Sequence, residues 1–98
     1  MPNAVMCEAI DELKIIEFIY EDSGRVVEPY AYGRTRRGND ALRGYQIGSS
    51  SEGTISDWKL FAVEKMEGLR KTDRTFEGSA PGYAHGDSAL SPIYCRVP

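Results

Sequence analysis

Arg43 and Tyr45 stand two residues apart in the run from Ala41 to Ile47. If that run is extended, its alternation turns both side chains to one face. A guanidinium there supplies a forked donor for phosphate or carboxylate, and the adjacent ring supplies a surface on which a base can stack. The plainer use of the same pair stays open: Tyr45 packed in the core and Arg43 joined to an acid on a neighbouring strand. Trp58 offers a further stacking ring, with a core role as its alternative. Lys59 is either a second anion contact or the charge that protects a strand edge. Arg34, Arg36 and Arg37 crowd a polar loop, where a charge run is either a solvated surface or a contact to nucleic acid.

The charge balance frames these candidates. The chain of 98 residues has a formal net charge of -3, which argues against a general nucleic-acid coat protein, since such proteins carry a large positive excess. The distribution is uneven, however. Residues 1–32 are predominantly acidic, whereas between 33 and 46 Asp40 is the one acid against Arg34, Arg36, Arg37 and Arg43.

Catalytic chemistry finds little to use. No phosphate-binding glycine loop, paired metal motif or nucleophile elbow occurs, so the reading is that of a non-enzyme with no cofactor and no metal. His85, the single histidine, lies in the glycine-flanked stretch Gly82-Tyr83-Ala84-His85-Gly86-Asp87 and reads as a surface loop residue. Cys7 and Cys95 are far apart in the chain, and no signal peptide or apolar run of membrane length is visible. This predicts a cytoplasmic location without membrane association, and two free or buried thiols in preference to a disulfide. Glu28, beside Pro29, is the carboxylate with the best claim to a special role; the simpler expectation is a cross-sheet pair with an arginine.

The elements that must hold these residues are short. With 41% hydrophobic and 28% charged residues the chain has enough apolar material for one core, so residues 1–98 read as a single domain. Asn3 can cap a helix in which Val5, Met6, Ala9, Ile10 and Leu13 share a face, leaving Glu8, Asp11 and Glu12 to solvent. Ile16, Phe18 and Tyr20 alternate as a strand, Asp22-Ser23-Gly24 supplies a turn, and Arg25 to Glu28 completes a hairpin. Pro29 then suits a strand edge or bend. After the polar segment from Arg34 to Asp40, Ala41 to Ile47 forms a third strand, with Arg43, Tyr45 and Ile47 on one face and Leu42, Gly44 and Gln46 on the other. The serine-rich run Gly48 to Gly53 reads as a flexible loop. Trp58 to Val63 follows as a fourth strand, with Trp58 and Phe61 on opposite faces and Lys59 beside Phe61. Met66 to Thr72 is a weaker fifth, bent or bulged at Gly68. Beyond Asp73 the chain is irregular, with aromatic residues that staple it to the body. The fold class is therefore mainly β (α+β): one N-terminal helix and a small, strongly bent barrel of about five strands, residues 5–72, with a tail, 73–98.

The order of these segments resembles a WYL domain. Glu8-Ala9-Ile10, Ile16 to Tyr20, Arg25-Val26-Val27-Glu28-Pro29-Tyr30, Leu42-Arg43-Gly44-Tyr45 and Trp58-Lys59-Leu60 carry the likeness, over about residues 5–72. The resemblance implies an Sm- or SH3-like barrel that serves as a bacterial ligand-sensing module. Such modules are linked to transcription regulation and phage defence, with nucleic acid or nucleotide-like ligands on a basic face. Position by position, it makes Arg43, Tyr45, Trp58 and Lys59 the first ligand-binding candidates and Tyr30, Arg34 and Gln46 the second. The partners implied are single-stranded nucleic acid or a nucleotide, or a protein that carries the output domain. The small core leaves a homodimer open as well.

Overall fold

A computed structural model describes residues 3–50, 56–83 and 87–98. The protein is mainly β: a helix α1 (Ala4–Asp11) precedes strands β1 (Lys14–Tyr20), β2 (Ser23–Arg34), β3 (Asp40–Ser49), β4 (Asp57–Ala62), β5 (Glu67–Thr75) and β6 (Ile93–Arg96). A short 3₁₀ turn, Val63–Lys65, joins β4 to β5. All strand pairings are antiparallel, in the order β4-β3-β2-β1-β5, with β6 added to β2.

Local chemistry explains most of these limits. The Asn3 side chain accepts the Met6 amide and starts α1, and Leu13, at φ 56°, ends the approach to β1. The first hairpin turns at Glu21-Asp22, both at positive φ, with Tyr20 already opposite Ser23. That is the two-residue loop whose twist matches antiparallel strands, so the turn lies one residue before the Asp22-Ser23-Gly24 segment expected to make it. Pro29 sits inside β2, at the stretch where β1 pairing has ended at Val27 and β6 pairing has not begun. Its missing N–H therefore costs the sheet nothing on that side, and a register shift follows between Pro29 and Ala31. Gly68, at φ 63°, lies in the irregular part of the β1–β5 pairing.

The sheet bends until its outer strands face each other. Phe61 of β4 meets Phe18 and Tyr20 of β1 edge-to-face, with ring centroids 5.1 Å apart in both pairs, and the Tyr20 hydroxyl accepts the Ala62 amide at 3.0 Å. No β4–β5 pairing closes the barrel among the described residues. Inside lie Ile16, Val27, Leu42 and Phe61, with Met6 and Ile10 of α1. Each such side chain contributes about 1.5–3 kcal/mol by leaving water. The acids of α1 are not simply solvated: Glu8 and Glu12 hold Lys71 of β5 at 3.4 and 2.8 Å.

Two expectations are corrected here. The tail is not wholly irregular, because Ile93–Arg96 pairs with Ala31, Tyr32 and Gly33 as a sixth strand. The cysteines are not free thiols: Cys7 and Cys95 form a disulfide, with their Cα atoms 5.6 Å apart. The reason is spatial, since α1 packs on β6 and so brings together residues separated by 88 positions.

Candidate functional site

Arg43, Tyr45 and Trp58 do share one face, since Tyr45 lies opposite Trp58 in the β3–β4 register and Arg43 lies opposite Leu60. The chain's own tail covers that face. Arg43 Nε donates to Asp87 Oδ2 at 2.6 Å. Trp58 is in edge contact with Tyr45 at 5.1 Å, stacks on Tyr83 at 5.7 Å, and donates its indole N–H to the Pro81 carbonyl at 2.6 Å. Tyr30 is fully buried against Trp58, Phe76 and Tyr83. Its hydroxyl accepts the Ala80 amide at 2.8 Å and donates to Glu28 at 3.3 Å. The stapling expected of the tail aromatics is thus present, and it occupies the surface on which a base was expected to stack.

The electrostatics follow that packing. Burial acts to raise the Asp87 carboxyl, but the Arg43 hydrogen bond, the Ala89 amide and the Arg43 charge bring it below its ordinary value. Burial pushes the Tyr30 phenol up to about 12 and also raises Glu28, against a smaller opposing effect of the Tyr30 hydroxyl. Glu28 therefore does not make the arginine pair expected of it; its partner is Tyr30.

The remaining candidates separate. Gln46 is buried on the inner face and accepts Arg25 Nη1 at 2.9 Å. Lys59, opposite Gly44, lies on the same inner side of β4 as Phe61 and lines a cleft of about 390 Å³ with Tyr20, Arg25 and Leu60. Arg34 folds back towards its own loop, donating to the Gly38 carbonyl at 3.4 Å. His85 lies outside the described residues, as do 51–55 of the serine-rich loop.

A different cleft brings cation and apolar surface together. The β2–β3 loop is a tight turn in which the Gly38 amide bonds to the Thr35 carbonyl at 2.9 Å and Thr35 N–H to the Asn39 carbonyl at 2.8 Å. Gly38, at φ 86°, takes the left-handed position of a three-residue hairpin loop. Arg36 and Arg37 consequently stand side by side at its tip, exposed. They rim a cavity of about 440 Å³ whose wall includes Tyr20, Ala41, Leu60 and Ala62. Leu60 is 40% exposed. At the cavity base, Asp40 accepts the Tyr94 hydroxyl at 2.9 Å and the Tyr32 hydroxyl at 3.3 Å, so its carboxylate is held in place.

Tyr20, Leu60 and Arg25 were not singled out from the sequence. The available signal was position: Arg25 alternates with inward-facing Val27, and Leu60 alternates with Trp58 on a strand with one unpaired side. Among the described residues no helix is long and apolar enough to cross a membrane. Comparison of the chain with protein-family models, with curated proteins and with solved structures returned no match in any of the three.

Proposed function

We propose that the protein is a non-enzymatic binding module for a phosphate-bearing ligand, a nucleotide or single-stranded nucleic acid, taken at the cavity under the Arg36–Arg37 turn. One observation carries the reading: two adjacent guanidiniums, with no hydrogen-bond or ion-pair partner among the described residues, border an apolar wall containing Leu60 and Tyr20. Guanidiniums of this kind take phosphate oxygens, while Tyr20 and Leu60 suit the faces of a base. Asp40 can accept from a ribose hydroxyl or a base amino group. The likeness of the segment order to a WYL domain supports the same ligand class and a regulatory role, exercised through a partner with an output domain. A cytoplasmic location belongs to this reading, and there the Cys7–Cys95 bond would face reduction by cellular thiols.

The test is fluorescence anisotropy of labelled oligo(dT) and oligo(U) at low and moderate salt, with Arg36→Glu/Arg37→Glu alongside. The exposed loop makes this variant neutral for folding, which circular dichroism checks. Saturable binding that is lost in the variant, with a slope of about -1.4 in log K against log salt for two phosphate contacts, is the expected result. No binding at low salt rejects the single-stranded nucleic-acid form of the reading, and no heat on titration with a mononucleotide rejects the rest.

A second reading, self-association, is favoured by Ile19. This residue is 47% exposed and borders a groove of about 580 Å³ with Val26, Gly24 and Gly48, next to the opposite charges Glu17 and Arg70. Such a mixed surface can meet its own copy. Sedimentation equilibrium decides: a dimer that Ile19→Lys dissociates supports it, and a monomer at every concentration removes it.

A further inference from the structure

Beyond the end of β5 the chain turns back towards β2 and β3 and leaves another cavity, of about 340 Å³. It shares no lining residue with the one under Arg36 and Arg37. The register sets Glu28 of β2 directly opposite Tyr45 of β3, so a carboxylate and an aromatic ring are cross-strand neighbours. Phe76 brings a further ring to the wall and Glu77 a further carboxylate. The wall is fixed in place. The Phe76 amide bonds to the Leu13 carbonyl at 3.0 Å, the Phe76 ring meets Tyr30 at 5.3 Å, and the Ala80 amide donates to the Tyr30 hydroxyl at 2.8 Å. Gly78, at φ 78°, supplies the left-handed turn that returns Ala80 to Tyr30.

The negative charge in this cavity is not answered from within the chain. Among the described residues no lysine or arginine lines it. Glu28 is half-buried and its Oε1 accepts the Tyr30 hydroxyl at 3.3 Å, while its Oε2 has no hydrogen-bond partner. Glu77 is exposed and makes neither a hydrogen bond nor an ion pair among the described residues. Carboxylates beside aromatic rings repel anions and attract a cation, whose charge the electron-rich ring faces stabilise as well. We propose that this cavity binds a small organic ammonium ion, with its charged head against Glu28 and Tyr45, its carbon substituents along Phe76, and Glu77 at the rim. Burial raises the Glu28 carboxyl, against a smaller lowering by the Tyr30 hydroxyl, and a bound cation would offset that burial. The volume lies near the lower limit of small-ligand sites, roughly 300 Å³, which suits a free amine better than a stretch of polypeptide. The inference stands apart from the proposed function, since the ligand has the opposite charge and a separate site.

The experiment follows backbone amide chemical shifts of the full chain during titration with choline, with ethanolamine and with neohexyl alcohol, the uncharged carbon isostere of choline. The expected result is saturable change at Glu28, Tyr45, Glu77 and Ala80 with at least one of the two cations, and binding of the isostere weaker than choline by at least about tenfold, roughly one good charged contact. Glu28→Gln keeps an acceptor for the Tyr30 hydroxyl, and therefore the fold, and should weaken the cation about tenfold. Glu77→Gln, at an exposed position, should cost about two- to threefold. Arg36→Glu/Arg37→Glu should leave cation affinity unchanged. Isostere binding as tight as that of choline overturns the inference, because the cavity would then select shape and not charge. Cation affinity unchanged in both glutamine variants overturns it, and so does the absence of saturable change at these amides with both cations. Each of these results leaves phosphate binding at the Arg36–Arg37 turn to its own test.

Discussion

Arg43 of β3 holds Asp87, forty-four residues later in the chain, through an Nε–Oδ2 contact of 2.6 Å. Asp87 in turn accepts the Ala89 amide at 3.0 Å, so one strand residue positions a bend of the tail. A residue suited by type to ligand binding is used to fasten the chain to itself.

Arg43→Ala is accordingly a stability variant. With Asp87 largely buried and left unpaired, unfolding should become easier by about 2–4 kcal/mol, read as a lower thermal midpoint, while binding at the Arg36–Arg37 turn survives below that midpoint. The pH dependence carries a sign. Asp87 is lowered in the folded chain, so its contribution is complete above the ordinary aspartate value and is lost as pH falls through the lowered one. Asp87→Asn should flatten that acid limb of a stability-against-pH curve; an unchanged limb would show that the pair adds nothing.

Tyr30 contributes to the alkaline limit, together with Tyr32, Tyr83 and Tyr94, whose phenols are also raised. The folded value of Tyr30, about 12, stands above the ordinary 10.0, so the folded chain keeps a proton that the unfolded chain gives up. Stability from this group is complete below about pH 10 and declines as pH rises towards 12. Tyr30→Phe should make that decline shallower, the other raised groups keeping the rest, and, by leaving the Ala80 amide without its acceptor, cost about 1 kcal/mol at neutral pH. Chemical denaturation across the alkaline range measures both effects.

The disulfide closes most of the chain into one loop. Opening it by Cys7→Ser/Cys95→Ser or by reductant should lower stability by up to about 4–5 kcal/mol, the chain-entropy ceiling for a loop of this length. β6 should lose amide-exchange protection before β1, β2 and β3 do. Exchange measured with and without dithiothreitol tests the order; uniform loss across all strands would contradict it.

Gly33 and Gly48 make a matched pair. A Cβ on Gly33 would lie 2.5 Å from the Pro92 carbonyl oxygen and 3.0 Å from Ile93 Cα, both backbone, whereas one on Gly48 meets the Val26 side chain at 3.5 Å. Gly33→Ala should therefore cost about 1–3 kcal/mol through displacement of β6, and Gly48→Ala should fold as the wild type does. Thermal midpoints of the two variants separate these outcomes.

The helix, the first hairpin and the facing of β3 were legible because period and turn chemistry are local properties. Leu42, Gly44 and Gln46 share one face of β3 as their alternation implied, and the structure makes that face the inner one, with Gln46 meeting Arg25 there. What escaped was long-range. Nothing in the spacing of Ile93 to Arg96 shows that β2 is long enough to pair with β1 at one end and with β6 at the other. Residue type leaves Tyr45 and Trp58 open to a ligand's ring or to packing within the chain; packing holds, and the rings that meet there, Tyr30 and Tyr83, come from β2 and from the tail. The Arg36–Arg37 turn was visible as charge, but the cavity beside it depends on Tyr20 crossing the bent sheet to reach Ala62.

The pairing of Ala31, Tyr32 and Gly33 with residues 93–96 also orders events in time. Contacts over such separations pay their loop-closure entropy before any gain returns, so a chain of this topology folds slowly for its size. The first hairpin can form early, while α1 and β6 meet only once the intervening strands have been laid down. Oxidation of Cys7 and Cys95 then marks a finished fold rather than guiding its search.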